Sequence, residues 1–255
     1  VVLDGAQIDA FQSDGAVAIR GALSDDWIEL LRRVVESLRD AVRANPAPGM
    51  AEPRPGATSG VGLWRIDPTF ARFLFRSPVA RLAAEATKSR TARLFEDLLL
   101  YTESAVPGAP WHRDAPHWPV SGRQLASTWF SLEPTTAETG ALRFVAGSHL
   151  DGDEVRDEGL MPDFDAASEH RPILRFDTEP GDVLLFHPRI MHGTTGAPFD
   201  RPRRTFTLRF AGDDVRWRPR RMLYYEWMGA CGLERGDVLD HPWFPLVADT
   251  GYAGE

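Results

Sequence analysis

The run Trp111-His112-Arg113-Asp114 sets an imidazole and a carboxylate two residues apart. On an extended strand, residues i and i+2 leave the same face, so both groups can reach one metal ion. A second imidazole, His192, closes the stretch Phe186-His187-Pro188-Arg189-Ile190-Met191-His192-Gly193, which reads as a strand followed by a turn. Two histidines and one carboxylate on one side of a metal leave the opposite positions open, the arrangement of a non-haem Fe(II) oxygenase. A lone His-x-Asp is a weak signal in a chain with seven histidines, so its surroundings must carry the weight. His187 competes with His192, and its plainer reading is a sheet histidine bonded to backbone or water.

The elements that must hold these groups follow from composition and periodicity. With 255 residues, 43% of them hydrophobic, the chain can bury one sizeable core, and a single domain spanning 1–255 is expected. Residues 1–91 read as a mostly helical flank. A short polar-capped helix from Ile8 leads to a strand at Ala16–Ile19. Ser24 then caps a helix from Asp25 to about Ala44, in which Trp27, Leu30, Leu31, Val34, Val35, Leu38 and Val42 form one apolar stripe. Asn45 to Gly62 reads as a loop, long enough for a flap, and Pro68–Phe75 and Pro78–Lys88 as packing helices. From Ala92 the texture changes to strands between Gly and Pro turns: 93–102, 124–132, 141–146, 173–176, 182–186 and 205–210. Helices first and strands after imply an α+β, mainly β layout, with a sandwich or barrel over 92–210. An acidic stretch, 151–170, reads as a surface insertion. Residues 211–255 form a tail with Tyr224, Tyr225, Trp227, Trp243 and Phe244, either a lid over the site or a packing segment.

Charge and composition also set exclusions. A net charge of −8 argues against nucleic acid or an anionic membrane as a partner, since the field of the molecule repels phosphate. Cys231 is the only cysteine, so neither a disulfide framework nor a thiolate zinc site is available, which fits a reducing cytoplasm. No apolar run approaches a membrane span, and Asp4 and Asp9 stand where a secretory signal carries basic residues. Only Lys88 among the 29 basic residues is lysine, the signature of a GC-rich bacterial genome. Each arginine is therefore weak evidence on its own.

The segments SDGAVAIRGAL, PWHRDAPHWP, TWFSLEPTTAETGALRFVAGSH and PGDVLLFHPRIMHGTTGAPFDRPRRTFTLRF, in this order over residues 11–210, carry a specific resemblance. The chain resembles the phytanoyl-CoA dioxygenase family of Fe(II)/2-oxoglutarate-dependent oxygenases, in a bacterial subgroup. The resemblance implies a double-stranded β-helix, a cupin-like jelly roll with N-terminal packing helices and a metal at its open end. It assigns His112, Asp114 and His192 to Fe(II), with 2-oxoglutarate and O₂ as co-substrates. It also prefers His192 to His187, because Gly193 and Thr194 match the family's ending of this strand.

A guanidinium inside the barrel can pair with the distal carboxylate of 2-oxoglutarate. Alternation puts Arg203 with Thr205 and Thr207, and Arg204 with Phe206 and Leu208. Family spacing, eleven residues beyond the distal histidine, selects Arg203, with Arg204 as the alternative. The resemblance further implies co-substrate contacts from Thr194 and Trp129. Tyr101 stands where many relatives carry a lysine, eleven residues before His112, and a phenol offers a hydrogen bond without that charge. Arg113, His117 and Trp118 are pocket candidates for a small-molecule substrate. The reaction implied is oxidation of a C–H bond, by default hydroxylation, with formation of succinate and CO₂. Desaturation, epimerisation and cyclisation are alternatives, as is a non-catalytic cupin that binds metal or ligand, a reading that Tyr101 favours. Asp114 is not replaced by Ala or Gly, so no position is vacated for a halide.

Overall fold

The computed structural model describes residues 1–44, 57–102, 108–151, 160–161, 170–194, 202–219 and 231–251. Most of the expected flap (45–62), most of the acidic insertion (151–170) and the aromatics Tyr224, Tyr225 and Trp227 lie outside the described residues.

Helix α1 (Gly5–Asp14) starts earlier than expected, because Asp4 and Gln7 form a capping box: Gln7 N–H donates to Asp4 Oδ1 at 2.8 Å, and Asp4 N–H to Gln7 Oε1 at 3.0 Å. It ends at Gly15, whose φ of 83° turns the chain into β1 (Ala16–Ile19). Helix α2 (Asp25–Ala44) buries Leu30, Leu31, Val34, Val35 and Leu38 of the expected stripe, with Trp27 partly buried and Ile28 buried as well. Residues Ala57–Val61, expected as loop, form strand β2. Ala57, Ser59 and Gly60 give little strand propensity, and pairing with the edge of β3 (Thr91–Thr102) supplies it instead. Helices α3 (Leu63–Ile66), α4 (Pro68–Arg76) and α5 (Val79–Ala86) follow, α4 capped by Asp67, whose carboxylate accepts from Thr69 and Phe70 N–H.

The remaining strands are β3 (Thr91–Thr102), β4 (Trp111–His112), β5 (Val120–Ser121), β6 (Leu125–Ser131), β7 (Leu142–Val145), β8 (Leu160–Met161), β9 (Ile173–Arg175), β10 (Val183–Phe186), β11 (His192–Thr194), β12 (Arg203–Ala211), β13 (Arg216–Trp217) and β14 (Leu246–Asp249). The larger sheet runs β1-β10-β6-β12-β3-β14, with β2 also on β3, and the smaller runs β8-β4-β11-β7-β9. All pairings are antiparallel, and from β10 to β12 the chain alternates between sheets. This is the jelly roll. Its boundaries are wider than 92–210, since β1 and β2 come from the flank and β14 from the tail.

The helices cover the outer face of the larger sheet. There Phe70 of α4 stacks on Phe206 of β12 at 5.5 Å, and Phe206 on Phe130 of β6 at 5.4 Å. Each such ring taken fully from water contributes about 2–3 kcal/mol, so this face anchors the sheet. The inner face meets the smaller sheet: Trp129, Leu184 and Phe186 pack with Leu142, Phe144 and Ile190. A third cluster, with Phe95, Trp118, Trp217 and Phe244, fills one end of the roll. Phe244, from the described part of the tail, is therefore a packing residue.

Behind β3, Asp97 is fully enclosed, and its carboxylate accepts from the backbone N–H groups of Gly62, Leu63 and Trp64. Burial pushes its carboxyl up to about 6 despite those donors.

Candidate metal centre

Strands β4 and β11 pair with His192 directly opposite His112, which puts the two imidazoles side by side with ring centroids 4.2 Å apart. Asp114 follows two residues after His112, and its Oδ1 lies 3.7 Å from His112 Nε2. One ligand atom from each of His112, Asp114 and His192 falls within 4.8 Å of the others, so a single ion can touch all three. His112 Nδ1 donates to Pro110 O at 2.8 Å, and His192 Nδ1 to Ile190 O at 3.0 Å. Those bonds fix the tautomer and leave each Nε2 with its lone pair free for a metal. Burial, reinforced by His112, holds His192 well below the usual histidine range, so it stays in the neutral, ligating form. Burial also raises the Asp114 carboxyl, an effect opposed by His112 and His117. Two neutral imidazoles and a carboxylate without thiolate suit Fe(II).

His187 is not part of this cluster. Its Nδ1 accepts from Arg189 N–H and its Nε2 donates to Arg123 O, both at 3.1 Å, and burial lowers its pKa to about 3. It is a neutral sheet histidine bonded to backbone at both nitrogens.

The two arginine candidates separate by face. Arg203 is buried on the inner side, with Nη1 donating to Thr139 O at 2.9 Å and Gly140 O at 3.1 Å. Arg204 points to the helical side, where its Nε donates to Glu133 Oε1 at 2.7 Å and Nη1 lies 3.7 Å from Glu36. Trp129 sits opposite Thr207 on the inner face, two rows from the register position of Arg203. The hydroxyl oxygen of Thr194 accepts from Ala109 N–H at 2.8 Å, tying the approach to β4 onto β11.

Three expectations need correction. Tyr101 faces the helices, within the core that includes Leu99 and Phe206 and with Arg39 over its ring at 5.7 Å, so its phenol does not face the metal side. Its inward neighbours by alternation are Leu100 and Thr102, and Thr102 lies opposite Arg203. Arg113 leaves β4 on the face opposite His112 and Asp114. Its guanidinium is taken up by Ser148 O, Arg189 O and Asp151, so it does not line a pocket. Trp118 is 1% exposed, packed against Phe95 at 5.1 Å. His117, in a 3-10 turn just past Asp114, is half-buried and near enough to bear on the Asp114 charge.

One group escaped the sequence reading. Arg209, on the same face of β12 as Arg203, reaches Asp114 Oδ2 with Nη2 at 3.4 Å and donates through Nη1 to the buried Glu96. The six-residue offset from Arg203 was the available signal, since an even offset keeps one face.

The phytanoyl-CoA dioxygenase (PhyH) family profile matches residues 11–205. The phytanoyl-CoA dioxygenase domain-containing protein 1 homolog of Caenorhabditis briggsae is 23% identical over 168 residues, 58% of this chain and 56% of that protein. The chain thus spans about half the length of that relative. Among solved structures, the non-heme alpha ketoglutarate dependent carbocyclase SnoK from nogalamycin biosynthesis matches with a TM-score of 0.81 at 21% identity, covering 96% of this chain and 97% of that one. The epimerase SnoN, in complex with Fe3+, alpha ketoglutarate and nogalamycin RO, matches with a TM-score of 0.77 at 22% identity, covering 95% and 98%. The structural likenesses show a shared fold. With more than half of its length matched by the family profile, the chain belongs to the phytanoyl-CoA dioxygenase family.

Proposed function

We propose that this chain is an Fe(II)- and 2-oxoglutarate-dependent oxygenase acting on a C–H bond of a small molecule, by default a hydroxylase. The observation that carries the reading is the convergence of His112, Asp114 and His192 on one point beneath the inner face that bears Arg203. Fe(II) with a bound 2-oxo acid supplies the activation of O₂ and the oxidation of a C–H bond. The residues do the rest. His112, Asp114 and His192 would hold the ion, and a set of only three protein ligands would leave room for the co-substrate. Arg203 is the proposed partner of the distal carboxylate of 2-oxoglutarate, in a desolvated setting that strengthens a two-pronged ion pair. Trp129 and Thr207 form the apolar and hydroxyl surface between them, and Thr194 orders the strand end at the metal.

The non-catalytic reading rested on Tyr101, and the position of Tyr101 on the helical side removes that support. Epimerisation or ring closure is the second reading of the outcome, favoured by the near full-length likeness to a carbocyclase and an epimerase that act in nogalamycin biosynthesis. A cyclic natural-product intermediate is accordingly the substrate class proposed. A bacterial cytoplasm is the proposed setting, supported by the single cysteine and the arginine-rich composition.

The test is anaerobic Fe(II) titration with and without 2-oxoglutarate, followed by the visible charge-transfer band of the chelate. The band is expected in the wild type, with its 2-oxoglutarate midpoint raised at least tenfold by Arg203→Ala, on the order of the 1.4 kcal/mol per decade that a lost ion pair readily exceeds. Arg204→Ala is expected to leave the midpoint unchanged and to lower stability. Iron uptake without a band would return the chain to the metal-binding class.

A further inference from the structure

We propose that Arg209 is a positioning residue for the metal site, holding Asp114 so that its carboxylate offers a single oxygen to the ion, with Glu96 limiting how tightly that hold is made. The inference rests on the metal-site reading above. The two oxygens of Asp114 already face different partners: Oδ1 lies towards His112 Nε2 at 3.7 Å, and Oδ2 towards Arg209 Nη2 at 3.4 Å. A carboxylate can ligate through one oxygen or two, and two-oxygen binding would consume a position that the three-ligand arrangement leaves open. A guanidinium on the second oxygen directs the group to the one-oxygen mode.

The local fold makes Arg209 a rigid instrument for this. Glu96 lies opposite it across the β3–β12 pair, and the register slips immediately beyond, where Phe210 pairs with Leu94 and Phe95 is left as the extra residue. The bulge turns Phe95 into the same end of the roll as Trp118, and the Trp118 ring lies beneath the guanidinium at 5.5 Å. Nη1 is committed to Glu96 and Nη2 to Asp114, so neither carboxylate receives the full fork.

Glu96 is the second half of the device. Left alone with Asp114 in a dry site, Arg209 would form a two-pronged ion pair that competes with the metal for the same carboxylate. By taking one arm, the buried Glu96 keeps the Asp114 contact long and single. It also neutralises the guanidinium, so the charge of Asp114 remains available to a cation.

Co(II) serves as the probe, since its visible bands report coordination number as well as binding. Calorimetric titration and absorption spectra are taken for the wild type, for Arg209→Lys, and for the double variant Glu96→Gln/Arg209→Met. The double variant removes both charges together and leaves no buried ion unpaired. Thermal melting of the metal-free proteins identifies which variants are folded. The wild type is expected to bind one Co(II) per chain. The folded double variant is expected to bind ten- to a hundredfold more weakly with altered bands, the range found for lost outer-shell partners. Arg209→Lys, a point charge that cannot span both carboxylates, should fall between them. Wild-type affinity with unchanged bands in either folded variant would overturn the proposal. Failure of the wild type itself to bind Co(II) would overturn the metal site, and this inference with it.

Discussion

The triad histidines differ from His187 in what holds Nδ1. In His112 and His192 that atom donates to a carbonyl and Nε2 is left over; in His187 both nitrogens are spent on backbone. His192→Ala should therefore reduce Co(II) affinity at least a hundredfold with little loss of fold. His187→Ala should leave affinity within a few-fold and cost about 1–3 kcal/mol in urea denaturation, because the buried ring is lost and the Arg189 N–H and Arg123 carbonyl lose their partner. Equal loss of metal in both variants would contradict this division. The pairing of His112 with Asp114 was legible from their spacing and the opposite faces of Arg203 and Arg204 from period-2 alternation, whereas His192 as the third ligand and the preference for Arg203 needed the ordered family segments. Tyr101 was misread because its spacing to His112 was counted across a connection between β3 and β4, and parity does not survive a loop. Arg209 was hidden by abundance, since 28 of the 29 basic residues are arginine.

Long elements were legible for a different reason. Helix α2 and strands β3, β6 and β10 carry apolar patterns several residues long, whereas β4, β8 and β11 are two or three residues each and exist only through their neighbours. Strand β2 likewise depends on the edge of β3. What ties the turn from β2 into α3 to β3 is Asp97, and its environment sets a pH dependence. A carboxyl raised to about 6 in the folded chain, from an ordinary value of 3.8, binds more protons folded than unfolded in that window. Stability from this group must then fall as pH rises from about 4 to 6, by about 3 kcal/mol for a shift of roughly two units. Asp182 and Asp213, held low by hydrogen bonds from neighbouring N–H and O–H groups that outweigh their burial, act in the opposite sense, and their contribution is lost only below about pH 4. Urea denaturation between pH 4.5 and 7 should show the Asp97 slope, and Asp97→Asn should flatten it. A wild-type profile already flat over this range would rule the assignment out.

As a whole, the molecule places its metal ligands on and just beyond two short strands, β4 and β11, that pair within the smaller sheet although His112 and His192 lie 80 residues apart in the chain. The fold class was legible from helices preceding strands and from the ordered family segments. The way β2 and β14 share one edge of β3 was not, because it depends on where distant segments arrive. The same strand order has a kinetic consequence. Apart from β2 with β3, no two strands consecutive in the chain are neighbours in either large sheet, and β1 waits for β10 as β3 waits for β12. Every other pairing must close a long loop before it is rewarded, which puts refolding in the slow range of non-local β topologies. The ion therefore meets a finished cradle rather than a nucleus. Stopped-flow experiments should find the refolding rate indifferent to Co(II), while the unfolding rate falls as Co(II) is added; acceleration of refolding by the ion would mean that β4 and β11 meet early.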